Sequence, residues 1–348
     1  LAFFSTSFHN LPEQNFVFSG MLEGTINSLK GKDVYAAMGK HTEIRTSFNT
    51  DGLPNLSQTF LYIDIEEFST GLNDLSIVNA ILPNSKSINV PENLSNLGLI
   101  QYNGNFTGFI DDFVAYGNLT TAMCEISTDV LIKLQKQKRL TIKGNLKTNN
   151  FDIGGFLNNP ETFGNLSMDV QVNGTGVRNQ GFTADTDGMI KKLEVNGYNY
   201  QNIELEGLLT DKKYDGALSI EDPNVSFNFS GGIDFSSDIP VFDFKAEVEQ
   251  AKLNKLNFVE DDTTALLSAR LVSNLEGNSI DNLSGNIHLT RGKLIMDNKR
   301  LNLDNFKINA VHIKDTQKIF LRSDYINGSL IGKYRSSSVF QSMKNLFY

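Results

Sequence analysis

The sequence contains no tryptophan, one cysteine and only 7 prolines in 348 residues. Because Cys124 has no second cysteine to pair with, an internal disulfide scaffold and a thiolate zinc site are both excluded. No apolar run approaches the ~18 residues that a membrane-spanning helix needs. The first residues, Leu1–Phe4, form neither a charged leader region nor a complete apolar one, so we expect the chain to be part of a longer protein.

The chain is also short of positive charge. It has 31 basic and 40 acidic residues, a net charge of −9. Proteins that bind nucleic acid broadly need a basic face to displace counterions, so no nucleic-acid partner is predicted. The 40% hydrophobic and 20% charged content is typical of a folded chain and not of a disordered one.

Asparagine and glycine, by contrast, are abundant, with 39 and 28 residues. Both tolerate positive φ and favour turns, so the composition predicts a long series of hairpins. Five Gly-Asn steps precede an aliphatic or aromatic residue, and each is predicted to begin a strand. These steps are Gly104-Asn105, Gly117-Asn118, Gly144-Asn145, Gly164-Asn165 and Gly285-Asn286.

Alternation with a period of two residues sets the fold class. In the segment 166–172 apolar side chains alternate with polar ones, and segments 225–229 and 242–248 repeat the pattern. Such segments are strands with one dry and one wet face, so the chain is predicted to be all-β. Further strands are predicted at 62–68, 130–134, 140–146, 203–209, 217–220, 286–290 and 306–313.

Helix signals are few, and domain boundaries are weak. Serines at 336–338 precede an apolar spacing that predicts a short amphipathic helix at 336–348, and a short turn is predicted at 153–157. Two β segments are predicted, 1–95 and 96–335, with a soft boundary near 82–96 where prolines interrupt the pattern.

No motif predicts catalysis. Thr183–Glu194 matches part of an EF-hand calcium loop, but its first position is Thr183 and its flanks are strand-like, so the pattern favours a hairpin turn. Asp111-Asp112 and the basic run from Lys133 to Lys143 are predicted to lie in solvated hairpins, the run alternatively contacting headgroups. Nucleophile-elbow, phosphate-loop and dinucleotide motifs are absent, so we predict no enzyme, cofactor or metal.

Several segments resemble the TamB family, translocation and assembly module subunits of the AsmA-like superfamily. The resemblance covers most of the chain from about Ser19 and is carried by repeat-style segments without catalytic residues. These segments are Gly104–Thr121, Asn150–Leu157, Gly197–Gly207, Gly216–Val225 and Ile239–Phe244.

The resemblance implies an interior segment of a long periplasmic protein of a Gram-negative bacterium, anchored in the inner membrane by an N-terminal helix. It implies an elongated, curled, antiparallel-rich sheet, a taco-like open groove or a β-solenoid-like form, whose apolar interior conducts phospholipid. Implied partners are phospholipid acyl chains and, through an absent C-terminal part, an outer-membrane barrel of the BamA/TamA type. An unpaired Cys124 would be buried. The predicted groove residues are Leu166, Met168, Val170, Val172, Ile203, Leu205, Phe227, Phe229, Phe242, Phe244 and Val248.

Three alternative interpretations stay open at this point. The same alternation describes a sandwich in which two sheets bury their dry faces against each other. The resemblance also fits an assembly factor for outer-membrane protein insertion or autotransporter secretion, acting through edge strands. A secreted adhesin or glycan-binding module is a third possibility, which the absence of tryptophan disfavours.

Overall fold

A computed structural model describes residues 16–71, 74, 97–135, 139–177, 181–279, 281–313 and 316–333. The predicted helix at 336–348 and the soft boundary near 82–96 lie outside these residues. The chain divides into two compact units. Unit 1 comprises Leu1–Phe182 and Ile190–Asn196, and unit 2 comprises Thr183–Met189 and Gly197–Tyr348. Strand β10 (Gly181–Val195) contributes its ends to unit 1 and its middle to unit 2.

Unit 1 is an antiparallel meander in which each strand pairs with the next along the chain. A 3₁₀ turn at Leu56–Gln58 precedes the fourth strand, and a four-residue helix, α1 (Ile153–Phe156), follows the eighth. Its complete strands are β1 (Val17–Gly24), β2 (Ser28–Met38), β3 (Thr42–Asp51), β4 (Phe60–Gly71), β5 (Leu99–Phe109), β6 (Asp112–Thr120), β7 (Glu125–Gln135), β8 (Arg139–Asp152) and β9 (Phe163–Val177).

Unit 2 repeats this construction with nine complete strands, again paired in chain order. A longer connection, residues 253–265, joins the fourth and fifth of them. The strands are β11 (Tyr198–Thr210), β12 (Lys213–Asp222), β13 (Val225–Asp234), β14 (Val241–Lys252), β15 (Leu266–Glu276), β16 (Ser284–Met296), β17 (Lys299–Ile313), β18 (Thr316–Arg322) and β19 (Asn327–Gly332).

The prediction of an all-β, antiparallel, unclosed sheet is confirmed within each unit. Register shifts interrupt several pairs, for example between Gly31 and Val34 of β2 and between Val248 and Ala251 of β14. Such bulges bend the strand and increase its twist, and this curves the sheet. The turn predicted at 153–157 is confirmed by α1. The Asp152 carboxylate caps this helix by accepting a hydrogen bond from the Gly155 amide at 2.8 Å.

Two local predictions were wrong. Three of the five Gly-Asn steps, at Gly104, Gly117 and Gly144, lie in the middle of strands rather than before them. Residues 183–194 form the extended interior of β10, not a hairpin turn. In both cases the residue types are tolerant of turns, but strand pairing on both sides decides the conformation.

Candidate functional site

In unit 2, strand register aligns apolar side chains into rows that cross the sheet. Side chains facing the same side of neighbouring strands stand about 5 Å apart, so each row is a continuous band. One row is Leu205, Leu218, Phe229, Ala246, Leu271, Leu289 and Phe306. A second row, which crosses every strand from β11 to β19, is Leu209, Tyr214, Ile233, Phe242, Leu275, Gly285, Ala310, Ile319 and Leu330.

The other face of unit 2 is polar. The residues next in sequence to the row that begins at Leu205 form a row of their own, which continues to β19. This row is Glu206, Ala217, Ser230, Lys245, Val272, His288, Lys307, Arg322 and Asn327. The contrast between the two apolar rows and this polar row shows that every strand of this unit keeps the same side dry. We call that side the apolar face of unit 2.

Unit 1 has the same division into faces. Its central apolar row is Gly31, Phe48, Ile63, Phe106, Ala115, Val130, Gly144 and Val172. On the opposite side, amide and carboxylate side chains bond across strands: Asn105 Nδ2 donates to Asp64 at 3.2 Å, and Asn145 Nδ2 donates to Asp169 at 2.9 Å. These two asparagines therefore serve the polar face rather than turns.

All eleven predicted groove residues lie on these apolar faces, four in unit 1 and seven in unit 2. The β9 set, Leu166 to Val172, faces the same side as its partners Phe151, Thr148, Leu146 and Gly144 on β8. The seven others lie on β11, β13 and β14, where Phe227 pairs with Val248 and Phe229 pairs with Ala246.

Burial of these faces is incomplete. Leu166, Val170 and Ile203 are buried, whereas the other eight predicted residues are half-buried. Across the described residues, only 12 hydrophobic residues are buried, so most side chains in the rows keep part of their surface free. A second sheet packed on an apolar face would remove nearly all of that surface.

Tyrosines cover glycine pairs on both apolar faces. In unit 1 Gly104 lies opposite Gly117, and the Tyr102 ring crosses them with its hydroxyl donating to the Tyr116 carbonyl at 3.3 Å. In unit 2 Tyr214 covers the pair Gly207 and Gly216, and its hydroxyl donates to the Ala217 carbonyl at 2.7 Å. Burial raises the pKa of both tyrosines. The rings lie along the sheet and replace the missing glycine side chains with a smooth aromatic surface.

One end of the apolar face of unit 2 is filled by a small core. Val225, Ala251 and Leu256 are buried there, Leu256 being supplied by the 253–265 connection. Beside them the Tyr198 hydroxyl donates to Asp222 and accepts from Asn224 Nδ2 at 3.0 Å. Burial, followed by the bond to Asp222, raises the pKa of Tyr198 to about 12.

The polar face of unit 2 carries a cavity of about 550 Å³ lined by both charge signs. Lys213 and Asp215 form an ion pair at 3.2 Å beside Gly232. Hydrogen bonds from Ser236, and more weakly the charge of Lys213, lower the pKa of Asp234 in the same lining. Among the described residues no group of three or more His, Cys, Asp or Glu side chains is placed to hold a metal ion. The charged lining is unsuited to acyl chains.

Sequence reasoning missed much of the apolar surface. Unpredicted members include Phe48, Phe106 and Phe113 in unit 1 and Leu271 and Phe306 in unit 2. Their segments alternate like the others, but the register that joins them into rows depends on pairing between strands. The predicted burial of Cys124 is confirmed, at 6% exposure. In the part of the chain described, no helix has the length and apolar character that crossing a bilayer requires.

With the faces established, the chain was compared with known proteins. No family model, curated protein or solved structure matches it.

Proposed function

We propose that the chain is a lipid conduit whose apolar faces bind phospholipid acyl chains. In the same proposal, it is an interior segment of a periplasm-spanning protein of the TamB and AsmA-like type, which carries phospholipid between the inner and outer membranes. The proposal needs no catalytic residue, because transport along such a face requires only a continuous apolar surface.

The observation that carries the proposal is the continuity of charge-free rows on surfaces that stay half-exposed. In unit 2 the longest row crosses nine strands, which at ~4.8 Å per strand gives a band roughly 40 Å long. The face is about 20 Å wide, because it contains four rows spaced two residues apart along each strand. On β11 these rows end at Ile203, Leu205, Gly207 and Leu209.

The energetics favour lipid as the occupant. Each methylene transferred from water to an apolar surface contributes about 0.8 kcal/mol, so a long acyl chain lying on this face gains far more than any single polar contact provides. A hydrophilic ligand would leave the apolar rows in contact with water and gain nothing from them. The half-exposed rows thus suit acyl chains better than they suit any polar ligand.

A charged substitution on the apolar face of unit 2, matched by one on its polar face, tests the proposal. Phe244→Glu places a carboxylate among Gly231 and Ser273 on the apolar face. Val272→Glu is the control, because Val272 is 38% exposed on the polar face and pairs with Lys245. Both variants are first checked for native far-UV circular dichroism, and phospholipid retained after purification is then measured.

We expect Phe244→Glu to lose lipid and Val272→Glu to retain it. Equal lipid content in wild type and both variants would refute the proposal that the apolar face of unit 2 binds acyl chains. A wild-type chain that retains no lipid would refute it as well.

A second candidate, an assembly role, is favoured by the edge strands. In β1 every residue is exposed and the only charged one is Glu23, while β19 has no charged residue and is exposed along nearly its whole length. Exposed edge strands with one charge or none are templates for an added strand. Crosslinkers placed in β19 would then capture β-strands of outer-membrane proteins, whereas crosslinkers at Phe244 would capture lipid under the first proposal.

A further inference from the structure

Strand β1 is an open edge of unit 1. Every residue of β1 is exposed, and among the described residues this strand pairs with β2 alone. Four of its side chains are large and apolar and keep about half of their surface in water: Val17, Phe18, Met21 and Leu22. The strand contains no proline, lysine or arginine, the residues that commonly protect a free edge from pairing with another strand.

The hairpin between β1 and β2 fixes which backbone groups of β1 face the open edge. The Thr25 amide donates to the Ser28 carbonyl at 3.0 Å, and the Ser28 amide donates to the Thr25 carbonyl at 3.1 Å. In an antiparallel pair, residues bonded in this way alternate with residues whose N–H and C=O point away from the partner strand. The register shift beyond Met21 places its extra residue in β2, so the alternation continues unbroken along β1. The backbone groups that face the open edge therefore belong to Phe18, Gly20, Leu22 and Gly24.

The same four residues lie on the apolar face of unit 1. Leu22 pairs with Gly31 and Phe18 pairs with Ala36, and both partners belong to apolar rows of β2 and β3. Large and small side chains alternate along this face of β1, with a glycine after each large one. A strand that pairs with β1 therefore fits best where it places a large side chain opposite each glycine and a glycine opposite each large side chain.

A second copy of β1 meets this requirement. When two copies run antiparallel with Met21 of each copy opposite Met21 of the other, Phe18 lies opposite the partner's Gly24, and Leu22 lies opposite the partner's Gly20. These are the residues whose backbone groups face the open edge, so the hydrogen bonds and the side chains match in one register. On the other side of the strand, Ser19 lies opposite the partner's Glu23, and no like charges face each other.

The chain already uses this kind of packing between its own strands. Glycine stands opposite phenylalanine in three pairs: Gly31 with Phe48, Gly108 with Phe113, and Gly231 with Phe244. At Gly31 a Cβ would lie 2.3 Å from the Phe48 ring, so the ring occupies the space that a side chain would need. Pairing of Phe18 with the partner's Gly24 would repeat an arrangement found within the sheet.

We propose that β1 pairs with β1 of a second copy of this chain and forms a symmetric dimer whose twofold axis passes beside Met21. The complementarity belongs to one strand and its own copy, which is the property that a twofold interface requires. The pairing joins the apolar faces of the two copies on the same side of one sheet. A single strand pair lies at the low end of interface sizes, so the dimer should dissociate reversibly on dilution. The inference does not depend on the proposed lipid function.

The test places charge at the twofold axis and compares it with the same charge at the other open edge. Met21 is 56% exposed and pairs with Lys32, and Ile331 on β19 is 57% exposed and pairs with Lys318. Met21→Glu and its control Ile331→Glu therefore each add a carboxylate beside a lysine of the same chain. Only Met21→Glu places two carboxylates opposite each other across the axis, and Met21→Lys supplies the opposite charge.

Sedimentation equilibrium of the full-length chain, after a check of far-UV circular dichroism, measures the dissociation constant of the dimer. We expect Met21→Glu and Met21→Lys each to weaken the dimer roughly tenfold or more, because like charges replace two apolar contacts. An equimolar mixture of these two variants should recover dimers, since opposite charges then meet at the axis. Ile331→Glu should dimerise like wild type.

A wild-type chain that stays monomeric at all concentrations would overturn the proposal, as would Met21→Glu that dimerises like wild type. If Ile331→Glu also loses the dimer, or if wild type forms assemblies larger than dimers, β19 takes part in the contact and the symmetric pairing of β1 is wrong. A mixture of Met21→Glu and Met21→Lys that stays monomeric would contradict the position of the axis.

Discussion

Replacing Gly216 by alanine is the sharpest test of the packing that forms the apolar face of unit 2. A Cβ at this position would lie 2.3 Å from the Glu206 carbonyl oxygen, 2.6 Å from Gly207 Cα and 3.0 Å from Tyr214 Oη. Two of these contacts are with backbone, so the paired strands must separate at this point, and the Tyr214 ring must shift as well. Forcing a methyl group into such a site costs about 1–3 kcal/mol.

Gly328 provides the control. It ends the same cross-strand row on β19, and a Cβ there would meet nothing within 4 Å. Without a clash, alanine reduces the conformational entropy of the unfolded chain, so Gly328→Ala should leave stability unchanged or raise it by about 0.4–1 kcal/mol. The two substitutions are chemically identical and differ only in the space available.

The effect is measured by urea unfolding monitored with far-UV circular dichroism. The urea concentrations at the midpoints are compared among variants that share the same m-value, the slope of unfolding free energy against urea. We expect Gly216→Ala to shift the midpoint of the transition of unit 2 to lower urea and Gly328→Ala not to do so. If Gly216→Ala is as stable as Gly328→Ala, the close approach of β11 and β12 beneath Tyr214 does not exist, and the reasoning fails.

Two further predictions concern the ends of the sheets. Because the pKa of Tyr198 is raised to about 12, the unfolded chain loses that proton first, so stability should fall as pH rises from about 10 towards 12. Tyr198→Phe should flatten this alkaline loss in pH-dependent unfolding, and an unchanged slope would contradict the assignment. In unit 1, Asp152→Ala removes the cap of α1 at a cost of about 1 kcal/mol and should expose Cys124. Its reaction rate with a thiol reagent should rise above that of wild type, whereas an equal rate would show that α1 does not protect the thiol.

The alternation of apolar residues predicted the fold class and the dry face correctly. Leu166 to Val172 and Phe242 to Val248 lie on the expected faces because a strand fixes alternate side chains to opposite sides, whatever its neighbours. The burial of Cys124 was also anticipated, although from the family resemblance rather than from the residues. The face on which each side chain of a strand lies could therefore be predicted from the sequence of that strand alone.

Features that depend on pairing could not be predicted. The Gly-Asn steps predict strand starts at Gly104, Gly117 and Gly144, but each of these glycines lies within a strand, in an apolar row, beside a backbone that leaves no room for a side chain. The aspartates of 183–194 suggested a turn, yet they alternate along the extended β10. The rows that join Phe106, Leu271 and Phe306 to the predicted residues follow from register, which bulges shift in ways that sequence alone does not reveal.

Native mass spectrometry of the chain purified from membranes without added lipid tests the central claim most directly. The lipid conduit predicts that the wild-type protein carries one or more phospholipid-mass adducts, that Val272→Glu carries the same adducts, and that Phe244→Glu carries fewer. A folded wild-type chain observed only at its own mass, with no phospholipid bound, would contradict the claim.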